Sequence, residues 1–283
     1  TKFIHYLCLN IDFKSRNRGT TIPSLVKSDL VKIEIPFIDS ITEQLRIVSI
    51  LDKAFDAIDK AKQNAEQNLN NAKELFESYL QRVFEERGEG WEEKKLGEIT
   101  NIIGGGTPSK RNSDYYVGDI LWASVRDLKQ DLLKDTEFKI TEDAVKNSST
   151  NIIPKGNVVI ATRVGLGKVC ILENDTAINQ DLRGIIPKNT RRINSEFLFY
   201  WFKSISKLII QAGTGATVQG VKLPFVKGLL MPFPNIDKQR QIVKRIDIIK
   251  SKVQSLESIY QQKLDDLEEL KKSILEKAFS GEL

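Results

Sequence analysis

ELFESYLQRVF, residues Glu74–Phe84, returns near the end of the chain as ELKKSILEKAF, residues Glu269–Phe279, at a constant offset of 195. The same offset aligns Gln44 with Gln239, Ile47-Val48 with Ile242-Val243, and Leu75, Ser78 and Leu80 with Leu270, Ser273 and Leu275. With one residue of slip upstream, IPF (Ile35–Phe37) falls on MPF (Met231–Phe233). One structural unit is therefore used twice. Each copy opens with a proline, which disfavours helix at the residue before it. Residues able to cap first-turn amides follow: Asp39, Ser40 or Thr42, then Asn235 or Asp237. No further proline interrupts either copy. Each copy therefore predicts an unbroken helix of about 45 residues, roughly 60–70 Å at 1.5 Å per residue.

The apolar positions of the second copy are Ile246, Ile249, Val253, Leu256, Tyr260, Leu267, Leu270 and Ile274, with Lys263 as a polar interruption. They alternate steps of three and four, the spacing of a coiled-coil seam. In the first copy the matching positions are Leu51, Ala54, Ile58, Ala61, Ala65, Asn68, Ala72, Leu75 and Tyr79. Small side chains in one seam correspond to bulky ones in the other: Ala54 to Ile249, Ala61 to Leu256, Ala65 to Tyr260, Ala72 to Leu267. Helices that approach closely and interdigitate tolerate such asymmetry. The expectation is an antiparallel coiled coil of these two helices. The competing reading is a pair of ordinary amphipathic helices, each packed on a globular core.

The chain has 283 residues, enough for one or two domains with a sizeable core. It has no apolar run of about 20 residues to span a bilayer and no signal-peptide pattern at its start, so a cytoplasmic protein without a membrane partner is expected. Cys8 and Cys170 are the only cysteines and His5 the only histidine. A disulfide framework, a zinc site or a histidine-built hydrolase centre lacks ligands, and a Ser-His-Asp triad would depend on His5 alone. Lys and Arg number 43 against 38 Asp and Glu, a net charge of +5. The excess falls mainly in Trp91–Asp237, with 20 basic against 16 acidic residues, whereas Thr42–Glu86 carries 6 against 9. A mild basic bias of this kind suits a phosphate backbone.

From Trp91 the texture changes to short β-branched runs broken by glycine turns, GNVVIATRVGLGKVCIL (156–172) among them. One helical pattern follows, NSEFLFYWFKSISKLIIQAG (194–213). An α+β or α/β module with an irregular, turn-rich sheet is expected. Its turns hold Thr107, Ser109, Lys110 and Arg111; Arg126; Arg163 and Lys168; Gln180 and Arg183; Thr214, Gln219 and Lys222. Catalytic readings mostly fail. GGGTPSK lacks the Gly-Lys-Ser/Thr of a phosphate loop, and in RVGLGKV a valine follows Lys168 where a hydroxyl is needed. No Asn-Pro-Pro-aromatic or Asp-Pro-Pro-aromatic stretch of an amino-methyltransferase is present. Glu137–Lys139 with Asp119 or Asp131 loosely mimics a nuclease core, and a stand-alone nuclease stays open as one alternative. A helical-rod scaffold that binds another protein is the second. Amides and guanidiniums without acid-base pairs fit base-edge reading, with arginine on guanine and Gln or Asn on adenine, while Lys, Thr and Ser position phosphates.

The order GGGTPSK…YYVGDILWASVRDL, GNVVIATRVGLGKVCI…AINQDLRGIIP, GATVQGVKLPFVKGLLMPFP, KQRQIV and terminal ILEKAFSGEL resembles the specificity subunits of type I restriction-modification enzymes along essentially the whole chain. The resemblance implies a non-catalytic DNA-recognition subunit. A target-recognition domain at 91–237 would read one half of a bipartite site in double-stranded DNA. The helices at 38–90 and 238–283, the central and distal conserved regions, would act as spacers. Two modification subunits would clasp them, bind S-adenosylmethionine and methylate adenine, and restriction motor-nuclease subunits would use ATP and magnesium. No cofactor is expected in this chain.

Residues 1–37 look like the end of a first recognition domain: TKFIHYL (1–7) echoes SEFLFYW (195–201), and GTTIPSL (19–25) echoes GATVQGV (215–221). The counterpart of Trp91–Asn194 does not precede it, so a self-dimer that pairs two recognition domains about a twofold axis is a further expectation. Within the recognition domain, Arg111, Arg126, Arg163, Gln180, Arg183 and Gln219 are the candidates for base or groove contacts, and Thr107, Ser109, Lys110, Lys168, Thr214 and Lys222 for phosphates.

Overall fold

The computed structural model describes residues 2–13, 24–86, 88–215 and 219–283. The echo expected at 19–25 lies mostly outside them. Helices α1 (Lys2–Leu9) and α2 (Lys27–Leu30) precede the long α3 (Ile41–Glu85). Strand β1 (Glu92–Lys95), one turn of helix α4 (Leu96–Ile99) and β2 (Thr100–Gly104) open the middle segment. There follow β3 (Ile120–Ala123), β4 (Leu132–Leu133), β5 (Phe138–Ile140), α5 (Glu142–Lys146) and β6 (Asn151–Ile153). Next come the hairpin β7 (Val158–Ala161) and β8 (Val169–Leu172), then β9 (Thr176–Ile178) and β10 (Leu182–Pro187). The chain ends with α6 (Ser195–Ser204), α7 (Ser206–Gln211), α8 (Leu223–Gly228), β11 (Leu230–Phe233) and α9 (Ile236–Ser280). The class is α+β, with mixed sheets and two helices of 45 residues each. No helix among the described residues is long and apolar enough to cross a membrane.

The chain forms two compact units, residues 1–74 with 252–283 and residues 75–251. The first unit packs Phe3, Tyr6 and Leu7 of α1 against Ile47, Leu51, Phe55 and Ile58 of α3 and Leu275, Ala278 and Phe279 of α9. The two long helices run antiparallel in it. Lys62 pairs with Glu268, Lys271 Nζ reaches Asp59 at 3.1 Å, and Arg46 donates to the Leu283 carbonyl at 2.7 Å. The Tyr6 hydroxyl donates to Asp52 at 2.6 Å, and burial together with this bond pushes its pKa up to about 12.

In the second unit, order β2-β10-β7-β8-β4 makes a five-stranded sheet and β5-β3-β9-β6 a four-stranded one, while β1 pairs with β11. All four β7 residues are buried because the strand serves two cores, its alternate side chains pointing to opposite faces. Val158 and Ile160 join α6, Leu80 and Phe84 of α3, and Ile242, Val243 and Ile246 of α9, whereas Val159 and Ala161 join Val125, Ile153, Cys170 and Ile178. The aromatic run FLFYWF of α6 is buried throughout, and the Tyr200 hydroxyl donates to Asp247 at 2.5 Å. Asp131 lies between Lys203 Nζ at 2.6 Å and Lys250 Nζ at 2.7 Å. Its burial works to raise the carboxyl pKa, but the two ion pairs outweigh this and hold it below the usual range.

The seam differs from the expected one at every second position. Along α9 the buried or half-buried residues include Ile246, Lys250, Val253, Glu257, Tyr260, Leu264, Leu267, Lys271 and Ile274, steps of four and then three. Along α3 the matching set is Leu51, Phe55, Ile58, Lys62, Ala65, Leu69, Ala72, Phe76 and Tyr79. Ile249, Ala54 and Ala61 are half-buried beside it, but Leu75 (58% exposed), Leu256 (39%) and Leu270 (47%), all expected inside, face solvent. Long polar residues take four of the places, Lys62, Lys250, Glu257 and Lys271: the Lys271 stem crosses Phe55, its ammonium 4.8 Å from the ring centroid, while its charge pairs with Asp59. A count of apolar residues alone cannot see such stems.

Candidate DNA-contact surface

The turn between β7 and β8, TRVGLGK (162–168), is built for a sharp reversal. Gly165 (φ 69°) and Gly167 (φ 85°) supply left-handed backbone, and Val164 is forced to φ 44°, an unfavourable conformation for a β-branched residue. Neighbouring loops hold it there. The Thr162 and Arg163 amides donate to the Asp181 carbonyl (2.8 and 3.2 Å), the Val164 amide to the Gln219 carbonyl (3.3 Å), and the Val221 amide to the Thr162 carbonyl (2.9 Å). Bridges join Arg163 to Gly220 and Thr214 to Gly220.

The loop after β2 reaches the same place because Gly105 has no side chain. A Cβ there would lie 2.1 Å from the Ile178 carbonyl oxygen and 2.3 Å from that of Asn179. Trp122 Nε1 donates to the Gly106 carbonyl (3.1 Å) and the Tyr116 hydroxyl to the Pro108 carbonyl (2.7 Å), fixing the loop. Thr107 Oγ1 then donates to Gln180 Oε1.

Several expected contact residues are thus brought together from distant parts of the sequence. Thr107 meets Gln180; Arg163 is bound through its backbone to the segments carrying Gln180, Thr214 and Gln219; Lys168 Nζ approaches the Val125 carbonyl at 3.4 Å, next to Arg126. Arg126 projects from a turn stiffened by Asp127, which accepts from the Ser124 amide (2.7 Å) and the Glu137 amide (2.9 Å). Arg183 is half-buried at the start of β10, with its guanidinium over Gly104, where a Cβ would come within 2.7 Å of it. Ser109, Lys110, Arg111 and Lys222 are exposed, and their side chains make no bond or ion pair among the described residues. Ala216–Val218, between Thr214 and Gln219, lie outside those residues.

Two residues were not anticipated. Asp181 (side chain 17% exposed) stands 3.7 Å from the Arg163 guanidinium and accepts from Asn179 Nδ2 at 3.1 Å. Asn179, buried, in turn accepts from the Asp181 amide at 3.0 Å. The Asp181 carboxylate therefore lies as a counter-charge beside the Arg163 guanidinium. The Asn-x-Asp spacing of an Asx turn was the available signal. Of the residues in the nuclease reading, Asp119 and Lys139 line one cleft with Asp135 and Asp175, but Lys139 pairs with Asp135 at 3.5 Å, Asp131 is taken by Lys203 and Lys250, and no three metal-ligating side chains cluster among the described residues. Lys168 leads into strand β8, so its glycine-rich turn is not a phosphate loop opening a helix.

The family model for the type I restriction modification DNA specificity domain matches residues 1–69 and 88–265. The type I restriction enzyme EcoR124I/EcoR124II specificity subunit of Escherichia coli is 34% identical over 227 residues, 76% of this chain and 55% of the relative. The MjaIX specificity subunit of Methanocaldococcus jannaschii is 35% identical over 157 residues, 54% of this chain and 36% of its own length. The chain therefore spans roughly a third to a half of these relatives. Among solved structures, a chain of a type I R-M system aligns with TM-score 0.82 at 22% identity, covering 100% of this chain and 71% of that one. The HsdS subunit from Thermoanaerobacter tengcongensis aligns with TM-score 0.61 at 23% identity, covering 100% and 70%. These likenesses concern the fold. With the family model spanning both units, the chain belongs to the type I restriction modification DNA specificity domain family.

Proposed function

We propose that this chain supplies DNA sequence specificity to a type I restriction-modification enzyme and performs no chemistry itself. The recognition domain, residues 91–237, reads one half of a bipartite site in duplex DNA, and the helices at 38–90 and 238–283 are the spacer that modification subunits clasp. Those subunits, two per complex, bind S-adenosylmethionine and methylate adenine; restriction subunits bring ATP and magnesium, and the complex acts in the cytoplasm. Two copies of the chain pairing about a twofold axis would present two recognition domains to a palindromic, interrupted site.

The observation that carries this reading is the convergence of Thr107, Gln180, Arg163, Thr214 and Gln219 from loops far apart in sequence. Arg163, Arg126, Arg183, Arg111, Gln180 and Gln219 have the donor geometry for base edges, and Lys110, Lys168 and Lys222 with Thr107, Ser109 and Thr214 suit phosphates. The test is the methylation pattern of a genome in cells holding this chain with its modification subunit, together with duplex binding across a salt series. Arg163→Ala should cost about 1–3 kcal/mol on the preferred site and relax one position of it. Lys110→Ala should weaken all sequences alike and reduce the salt slope by about 1. An unchanged methylation pattern and affinity in Arg163→Ala would remove the loop surface as the reader.

A further inference from the structure

The tip of the β7–β8 turn carries an apolar side chain on backbone that a glycine would adopt without steric cost. Val164 has φ 44°, and the turn continues through the left-handed Gly165 (φ 69°) and Gly167 (φ 85°). At those two positions space also demands glycine: a Cβ would lie 2.7 Å from Val125 Cγ1 at Gly165 and 3.0 Å from Ile210 Cδ1 at Gly167. Val164 gains nothing from packing that would offset its strain. It is 52% exposed and belongs to none of the apolar cores formed by the described residues. The turn is anchored instead by Leu166, which packs against the core around α6 and lies over Gly213, where a Cβ would come within 2.5 Å of Leu166 Cδ1. A strained residue that fills no core points to a role for the side chain it presents.

The side chain is also set in place before any contact. The Val164 amide donates to the Gln219 carbonyl at 3.3 Å, and the preceding Arg163 is bridged to Gly220 and donates its own amide to the Asp181 carbonyl at 3.2 Å. A β-branched side chain has few χ1 choices, so little rotamer freedom is lost when its two methyls are covered. Its neighbours are polar: Arg163 precedes it in sequence and Gln219 stands across the hydrogen bond. The major-groove edge of DNA has the same character. Donors and acceptors line it, and its one apolar group is the C5-methyl of thymine.

We propose that Val164 is a specificity-determining residue that packs its isopropyl group on the C5-methyl of a thymine, next to the base that Arg163 contacts. This contact rests on the DNA-specificity reading of the chain and adds to it an interaction of another kind. Guanidinium and amide groups read bases by hydrogen bonds; none of them rewards a methyl group. An apolar tip held among them does, because burying the two apolar surfaces against each other removes both from water. The other use of an exposed apolar tip is a wedge that unstacks a base step. Wedges are built from side chains such as Phe, Leu, Ile and Met, which reach further than the short side chain of valine.

The test uses the chain with its modification subunit and the duplex that its methylation pattern defines, each thymine of the site replaced in turn by deoxyuridine, which removes only the methyl. One thymine should prove sensitive, its replacement weakening binding about fourfold, the value for one methyl taken out of an apolar contact. Val164→Gly and Val164→Asn should each abolish that sensitivity, so that the thymine and uracil duplexes bind alike. Both residues accept left-handed backbone, and Val164→Asn should not lower the thermal midpoint of the chain. A site with no uracil-sensitive thymine overturns the proposal and leaves the specificity reading standing. So does a sensitivity that persists because both variants weaken the thymine and uracil duplexes by the same factor, as loss of a wedge would. A lowered midpoint in Val164→Asn overturns it too, since the side chain would then serve the fold. Absence of any sequence-selective binding by the unaltered complex would sink the specificity reading, and this contact with it.

Discussion

Replacing Leu51 and Leu270 separately by alanine tests the seam on two identical changes within one unit. Leu51 is 0% exposed among Ile47, Phe55, Ile58 and Leu275, whereas Leu270 is 47% exposed. Leu→Ala removes about three methylene equivalents, so full burial accounts for about 2.4 kcal/mol of transfer free energy. The cavity left at Leu51 raises this to about 3–4 kcal/mol. Leu270 forfeits only about half of the transfer contribution, leaves no cavity because water fills the space, and regains a few tenths of a kcal/mol from alanine's helix propensity. Its expected cost is about 1 kcal/mol or less. Urea unfolding followed by far-ultraviolet circular dichroism, with an unchanged slope, reads both values. Were Leu270→Ala to cost within about 1 kcal/mol of Leu51→Ala, the seam of alternating four and three steps described above would be wrong and the three-then-four seam restored.

Two further outcomes follow from the second unit. Gly105→Ala puts a methyl 2.1 Å from a carbonyl oxygen that cannot yield without moving the β9–β10 turn; thermal unfolding should show a loss of about 3 kcal/mol, and duplex binding should fall with it. Asp131→Asn leaves Lys203 and Lys250 unpaired at a carboxylate whose side chain is 30% exposed, so denaturant titration at neutral pH should give a loss of about 1–2 kcal/mol. Because the folded pKa of Asp131 is depressed, its contribution is present above the unfolded value of about 3.9 and disappears as pH falls through the lower folded one. The gap between wild type and Asp131→Asn should therefore close in acid; a gap that persists there would assign the loss to packing.

The repeat, the two long helices and the change of texture at Trp91 are legible in the sequence, because proline placement, capping residues and an apolar period near 3.5 act locally. The choice between adjacent seam positions is not: Lys271 over Phe55 shows a charged residue packing by its stem, which composition cannot reveal. Thr107 and Gln180, or Arg163 and Gln219, become neighbours only through strand pairing across more than fifty residues, and Asn179 and Asp181 acquire a role only once Arg163 lies beside them. Ile35-Pro36-Phe37 and Met231-Pro232-Phe233 read almost alike, yet Phe37 is 59% exposed and Phe233 is 7%. The residues set what each segment can become; whether a partner strand lies across it sets what it is, since burial is a property of the contact and not of the side chain.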